Sequence, residues 1–327
     1  MTLVTFSEWQ QFTAAWPDLH FLQTAEWGQL KAAFGWDAQR IICDGQGIQI
    51  LFRRLPLGFT IAYAPKPLGF ENPAEISPQL RDEIDKLCRK KRAIVLKIEP
   101  DTWQDVSADT WGLRISPHHI QPPRTSVISL VGSDDEILAR MKQKCRYNVR
   151  LAEKKGITVG ASDDLTGFHQ LMQVTGGRDG FGVHSLEYYQ KAYHLFHSSG
   201  RMELLLAEFE GKPLAALMVF AVGRRSWYLY GASNDVERNR MPTYLLQWHA
   251  IQWARSKGCL EYDLWGVPDQ DENALEAQFE NRHDGLWGVY RFKRGFGGQI
   301  LRSAAALDRV YNPWLYRLYL WRMAKSE

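Results

Sequence analysis

The sequence has little of what marks the simplest assignments. Its four cysteines, Cys43, Cys88, Cys145 and Cys259, lie far apart and form no Cys-x-x-Cys pair. A chain of 327 residues can also build a core without cross-links, so a disulfide scaffold is excluded and a reducing compartment is expected. No run approaches ~18 uninterrupted apolar residues, and the N-terminus has no basic segment followed by an apolar one, so the expected location is cytoplasmic, without a transmembrane segment. A charge excess is missing too. The 40 Lys and Arg against 37 Asp and Glu leave only +3, so any contact with nucleic acid must come from local clustering. There is no Gly-x-Ser-x-Gly elbow and no Cys/His pair of the kind that activates a nucleophile. His194 and His197, three apart on an expected helix, have no third or fourth partner at metal-ligand spacing, so no metal is expected and both read as surface or packing residues.

What is present describes an ordered protein: 45% hydrophobic residues, 13% aromatics including 13 Trp, and 24% charged residues. The length suggests two modules of about 150 residues each, and a repeat supports that. A hairpin-like pair, Gly47–Arg54 and Phe59–Ala64, leads to a helix over Pro78–Lys91 and a strand over Ala93–Asp101. Roughly 165 residues later the order recurs: Gly211–Phe220 and Trp227–Ala232, a helix from Pro242 to Lys257 closed by Gly258, and a strand over Leu260–Trp265. Each half also opens on helical material, near Ala25–Phe34 and Asp164–Val174. The expected class is α/β: two tandem acetyltransferase-like (GNAT-like) modules, mixed β-sheets flanked by helices. The first is expected over residues 1–133 with 303–327 and the second over 134–302. The C-terminal segment Tyr311–Lys325 mixes Trp314, Leu315, Leu318, Tyr319 and Trp321, spread around an expected helix, with Arg317, Arg322 and Lys325. It reads as a terminal helix packed on the first module, with an interfacial helix on anionic lipid as the alternative.

Five segments carry a family resemblance: Phe21–Lys31 with Gly35-Trp36, Met141–Gly156, Arg178–Phe181, Tyr228–Ala232 and Tyr290–Phe296. In this order, over nearly the whole chain, they resemble the Fem (FemABX) family of non-ribosomal peptidyl transferases. The resemblance implies transfer of an aminoacyl group from aminoacyl-tRNA, as co-substrate, to an amine of the peptidoglycan stem peptide during interpeptide bridge formation. The acceptor would be carried on a UDP-MurNAc-peptide or on lipid II, and no cofactor is implied. Longer members have a two-helix coiled-coil arm. This chain has no sustained heptads there and resembles the compact, FemX-like kind.

Aminolysis of an ester needs a free amine, close approach and stabilisation of an oxyanion. Lys293 is the foremost candidate for that cation, in a segment Tyr290–Phe296 expected to be a strand with Arg291 and Lys293 on one face. Phe292 beside it reads as a packing or stacking surface. A helix opened by the capping pattern Ser133–Glu136 is expected to carry Lys142, Arg146, Arg150 and Lys154 along one face, a stripe suited to tRNA or pyrophosphate. For the acceptor, the resemblance points to Lys31, Tyr188 and Tyr230, and Trp36, Arg178, His184, Tyr244 and Arg291 lie in or beside its segments. His184 stands where relatives commonly have arginine, and it has no guanidinium fork. Asp101 matches a position considered for a general base. Two rival functions remain, an acyl-CoA-dependent N-acyltransferase and a non-catalytic tRNA- or precursor-binding protein. Against the first, the stretch Glu237–Tyr244 has Met241 and Pro242 where a pyrophosphate loop needs glycines.

Overall fold

The computed structural model describes residues 3–323. In chain order its main elements are α1 (Phe6–Thr13), α2 (Ala25–Ala33), β1 (Trp36–Cys43), β2 (Gln46–Arg54), β3 (Thr60–Pro65), α3 (Pro78–Lys90), β4 (Ala93–Glu99), β5 (Leu113–Ile115), β6 (Arg124–Ser129), α4 (Asp134–Arg140) and α5 (Gln143–Lys154). Then come β7 (Thr158–Ala161), α6 (Leu165–Asp179), α7 (Leu186–His197), β8 (Met202–Phe209), β9 (Lys212–Val222), β10 (Arg225–Ser233) and α8 (Pro242–Ser256). Last are β11 (Glu261–Gly266), α9 (Glu272–Gln278), α10 (Trp287–Lys293), β12 (Gln299–Arg302), β13 (Leu307–Val310) and α11 (Pro313–Met323). They form two compact units, Met1–Pro123 with Ser303–Glu327, and Arg124–Arg302. Strand β6 lies in the second unit because it pairs with β11 and β12. The division therefore falls before Arg124, ahead of the boundary after residue 133 that the sequence suggested.

The first unit has a sheet in the order β1-β2-β3-β4-β13-β5. Strands β1 to β3 are antiparallel, α3 crosses over, and β4 returns parallel to β3. Ser77 caps α3 on Leu80 N–H, Pro78 sits in the first turn, and Leu80, Ile84, Leu87 and Cys88 fall on one side at helical spacing and are buried. The second unit's sheet runs β12-β6-β11-β10-β9-β8-β7. It repeats the pattern: β9 and β10 antiparallel, α8 crossing, and β11 parallel to β10. The repeat read from sequence is thus a repeat of strand pairing. Helices α5 and α8 pack together, and α6 and α7 pack against β8, β9 and β10. With 15 residues each, α6 and α8 are the longest helices of this unit among the described residues, far short of a coiled-coil arm.

Two local expectations are corrected, and a third is met in part. The helix expected from Ser133 onward is two helices. Its capping box is present at Ser133/Glu136, but Met141 and Lys142 are extended, with ψ 152° and 145°. The Lys142 N–H leaves the helical ladder for the Gly295 carbonyl at 2.9 Å, so Lys142 caps α5 and does not stand on its face. The segment from Tyr290 is helix α10 followed by a tight turn over Arg294–Phe296, not a strand. Trp287, Tyr290 and Lys293, spaced by three, are the buried residues of α10. Two positions apart on a helix, Arg291 and Lys293 diverge: Arg291 is exposed and Lys293 buried. Finally, α11 does pack on the first unit through Tyr316, Leu315, Tyr319 and Leu320, but Trp314, Leu318 and Trp321 remain exposed. Lys325 lies outside the described residues.

Candidate active site

Strands β10 and β11 pair only through Arg225↔Glu261, Ser226↔Tyr262 and Trp227↔Asp263, although β10 continues to Ser233 and β11 to Gly266. Beyond Asp263, β11 bulges: its pairing with β6 skips from Asp263↔Val127 to Gly266↔Thr125, and Trp265 takes φ +63°. Strand β10 has its own irregularity between Tyr228 and Tyr230. The strands therefore part. The equivalent pair in the first unit shifts register once at its start, between Thr60 and Ile61, and then stays paired to its end at Pro65↔Glu99, so among the described residues the second pair is the one that opens.

Lys293 enters this opening from the end of α10. Its Nζ donates to the Gly266 carbonyl at 2.7 Å and to the Trp265 carbonyl at 3.3 Å, and lies 5.9 Å from the centre of the Tyr228 ring. Only 6% of the residue is exposed. Burial pushes its pKa down to about 8, partly opposed by the charge of Asp263. Asp263 is itself held by the Thr125 hydroxyl and, at 2.7 Å, by the Trp265 N–H, and burial raises its carboxyl above the usual range. The Lys293 charge is therefore oriented by neutral carbonyls and not quenched in a salt bridge. Such a cation interacts strongly with negative charge developing beside it in a dry site.

Neighbouring side chains fix α10. Glu276 on α9 accepts from Lys142 at 2.9 Å, Tyr290 Oη at 2.7 Å and the Arg294 guanidinium. Arg294 first, then Lys142 and Tyr290, hold its carboxyl down at about 2. Phe292 packs edge-on against Tyr244 and Phe296, with ring centres 5.1 Å apart in each case, so it serves as core. The positive charge of Arg291 acts on Tyr244, whose hydroxyl burial raises.

At the start of α7 and on β10 three of the expected acceptor residues meet, His184 from the segment just before the helix. Tyr188 and Tyr230 share a hydrogen bond of 3.0 Å between their hydroxyls, and His184 stacks on Tyr188 at 3.9 Å and meets Tyr230 edge-on at 6.0 Å. Burial lifts Tyr188 to about 12 and Tyr230 well above its ordinary value, so both hydroxyls are neutral, one donating to the other. Arg178, in the last turn of α6, is already engaged by Asp179 at 2.8 Å, Asp235 at 3.0 Å and the Ser233 carbonyl at 3.1 Å. It anchors the end of β10.

The basic stripe is thinner than its spacing suggested. Lys142 is paired to Glu276 and Arg146 donates to the carbonyls of Ala139 and Met141, sealing the α4–α5 break. Arg150 and Lys154 project outward as exposed residues. In the first unit, Lys31 and Trp36 meet around Arg53. The Lys31 ammonium lies 5.1 Å over the Trp27 ring and is lowered to about 8 by burial and then by Arg53, while Arg53 lies 5.6 Å over Trp36. Asp101 follows β4, which two strands separate from the β1 strand bearing Trp36.

The entry to α8 has Glu237 and Met241 at φ +54° and +58°, no side-chain cap, and Pro242 without an N–H. The Tyr244 N–H is used by the Met241 carbonyl at 3.1 Å. Lys155 Nζ holds the Asn239 carbonyl at 2.8 Å and Arg240 holds the Lys155 carbonyl at 2.7 Å. Few free amides remain there to cradle a phosphate. Burial raises the thiols of Cys88 and Cys145 to about 12 and that of Cys259 to about 11, which leaves them unreactive. His197 stacks on Tyr193 and faces Glu203 at 3.4 Å.

Asp263, Trp265 and Glu276 escaped the sequence reading. A carboxylate set between the apolar Tyr262 and Leu264 was the visible trace of the first. Nothing in the spacing betrays Glu276.

A repeated antiparallel pair, crossover helix and parallel strand, with one parallel pair opened around a buried cation, define a tandem protein of acetyltransferase-like modules. Residues 4–110, 110–212 and 208–322 match the model of the FemAB family, and the chain belongs to that family. It is 28% identical to a lipid II:glycine glycyltransferase of Staphylococcus haemolyticus (strain JCSC1435) and 27% identical to one of Staphylococcus aureus (strain USA300), covering 96% of this chain and 94% of each relative. The first of these alignments runs over 406 positions, more than the 327 residues of this chain, so that relative carries insertions absent here. Among solved structures, one described as the crystal structure of FemX superposes with a TM-score of 0.84 at 25% identity, over 97% of this chain and 99% of that one.

Proposed function

We propose that this chain is an aminoacyltransferase that moves an amino acid from aminoacyl-tRNA to an amine on the stem peptide of a lipid-linked peptidoglycan precursor, as a step in interpeptide bridge formation. Transferase chemistry on such an acceptor follows the names of the glycyltransferase relatives, which match over nearly their full length. The observation that carries the reading within the chain is the Lys293 ammonium held by the Trp265 and Gly266 carbonyls where β10 and β11 separate.

In this reading the acceptor amine attacks the ester carbonyl, a C–N bond forms, and the carbonyl oxygen becomes an oxyanion that Lys293 stabilises. As the ester C–O bond breaks, the amine proton passes to the departing ribose oxygen. No covalent enzyme intermediate and no cofactor enters the scheme. Arg150 and Lys154 offer charge to the tRNA backbone. Tyr188, Tyr230 and His184 offer a hydroxyl donor and an aromatic face to the acceptor, and Lys31 with Trp36 is a separate candidate contact within the first unit. Asp101, in the first unit, is a separate candidate that this proton path does not use. An acyl-CoA donor fits less well, because the α8 entry has Pro242 and a tied-down loop where phosphates would need amides.

The test supplies charged tRNA and lipid-linked precursor and follows incorporation. Lys293→Met is expected to lower the rate by about a hundredfold, the loss typical of removing one oxyanion donor. A rate within about threefold of wild type, less than ~1 kcal/mol, overturns the assignment. Stabilisation by acetyl-CoA and not by precursor or tRNA would instead favour the CoA donor.

A further inference from the structure

Helix α11 shows solvent the face that a helix normally hides. Tyr316 is buried, and Leu315, Tyr319 and Leu320 pack beside it against Ile94 and Val95 of β4 and against Leu55, Phe59 and Ile61. On the opposite side Trp314 is 78% exposed, Leu318 58% and Trp321 57%. These three stand at i, i+4 and i+7, one stripe along the helix. Arg317 and Arg322 are exposed and flank the stripe on its two sides, and the Arg317 guanidinium lies 5.5 Å over the Trp314 ring. Segment Pro313–Met323 contains no Asp or Glu.

A second feature of the same unit joins it. The turn between β2 and β3 places Leu57 at its tip, 85% exposed and at φ +61°, a conformation that leucine rarely adopts. Both ends of that turn, Leu55 and Phe59, belong to the apolar cluster on which α11 rests. Arg54 and Arg92 are exposed beside it, with Arg92 lying 4.5 Å over the Phe59 ring. The turn segment Arg53–Phe59 also has no acidic residue.

We infer that α11 and the Leu57 turn form a docking face for an anionic lipid bilayer. A stripe of two Trp and one Leu bordered by arginines suits the headgroup boundary, where indole rings sit and guanidinium groups reach phosphate. Basic charge unmixed with acidic charge complements an anionic surface. With 11 residues α11 is too short to span, and among the described residues no helix is long and apolar enough to cross a membrane. The helix therefore lies along the surface, with Leu57 inserted beside it. The inference does not rest on the reaction proposed above, though it would bring the enzyme to a lipid-borne acceptor.

The test uses the full chain and two kinds of vesicle, phosphatidylcholine alone and equimolar phosphatidylcholine and phosphatidylglycerol, in co-sedimentation. The wild type is expected to bind the anionic vesicles, and Trp314→Ser/Trp321→Ser and Arg317→Glu/Arg322→Glu to lose at least about tenfold in partitioning. Melting temperatures should hold, because these side chains are exposed. Lipids brominated in the acyl chain should quench tryptophan fluorescence in the wild type and markedly less in Trp314→Phe/Trp321→Phe. Failure of the wild type to bind, or equal binding by wild type and variants, overturns the inference. So does a wild-type dimer in solution that Trp314→Ser/Trp321→Ser converts to monomer, since a second copy would then cover this face. Transfer to a water-soluble precursor is expected to be unchanged in the tryptophan and arginine variants. A wild type that binds the anionic vesicles but transfers nothing would count against the reaction and leave the docking face standing.

Discussion

Lys293 holds its charge against burial, and that conflict predicts two opposite pH responses. Its pKa is lowered from 10.5 to about 8 in the folded protein. Where transfer depends on the ammonium, the rate should fall as pH rises through about 8, and Lys293→Arg, whose charge persists, should remove that descending limb in a pH–rate profile. Stability should move the other way. Between about 8 and 10.5 the unfolded chain holds this proton and the folded one does not, so stability rises with pH across that window. The Lys293→Met variant should show no such rise when urea midpoints are compared at several pH values. Glu276 behaves as an ordinary paired carboxylate. Held down at about 2 by Arg294 and its neighbours, it contributes stability that is fully present above its unfolded value of 4.5 and is lost as pH falls through about 2. Glu276→Gln should therefore flatten the acid limb of the stability curve.

The elements around the site show which features a sequence reveals and which it conceals. The two β-β-α-β repeats were readable because local chemistry marks them. Prolines at 78 and 242 open both crossover helices, and the strands are rich in apolar residues, with Ile94, Val95 and Leu96 in β4 and the run Leu214–Val222 in β9. Helix α10 was misread because Tyr290-Arg-Phe-Lys alternates apolar and charged residues as an edge strand would. The burial of Trp287 and the clamp at Glu276 decide for helix, and both act through residues distant in sequence. The α4–α5 break was equally hidden, since Met141-Lys142 is good helical sequence. Its cause is the backbone of Gly295 and Gly297. Gly297 sits at φ +77°, and a Cβ there would collide with the Arg140 carbonyl. Gly297→Ala should cost about 1–3 kcal/mol, read as a lowered urea midpoint. The candidate site was thus legible in residue identity at Lys293, Tyr188 and Tyr230, but not in geometry, because the opening depends on two bulges that no local pattern announces.

The first unit is built from both ends of the chain. Strand β13 lies between β4 and β5, and Lys97 on β4 is ion-paired at 2.9 Å to Asp308 on β13, both side chains fully buried. Tyr316 of α11 also donates to Asp308 at 2.6 Å. Asp308→Ala strands the Lys97 charge and should cost about 3–5 kcal/mol, seen as loss of the first unit's transition in a melt. The second unit is continuous in sequence, so residues 124–302 alone should melt cooperatively, while a chain cut after Arg302 should keep only that transition. A unit that needs residues made after the whole of the other unit also sets the order of assembly. As the chain emerges from the ribosome, the N-terminal segment waits with β4 and β5 unjoined while the later-made unit completes itself. The first unit then closes only after residues beyond Arg302 have been made, so a chain released before that point would expose open strand edges and invite aggregation or proteolysis.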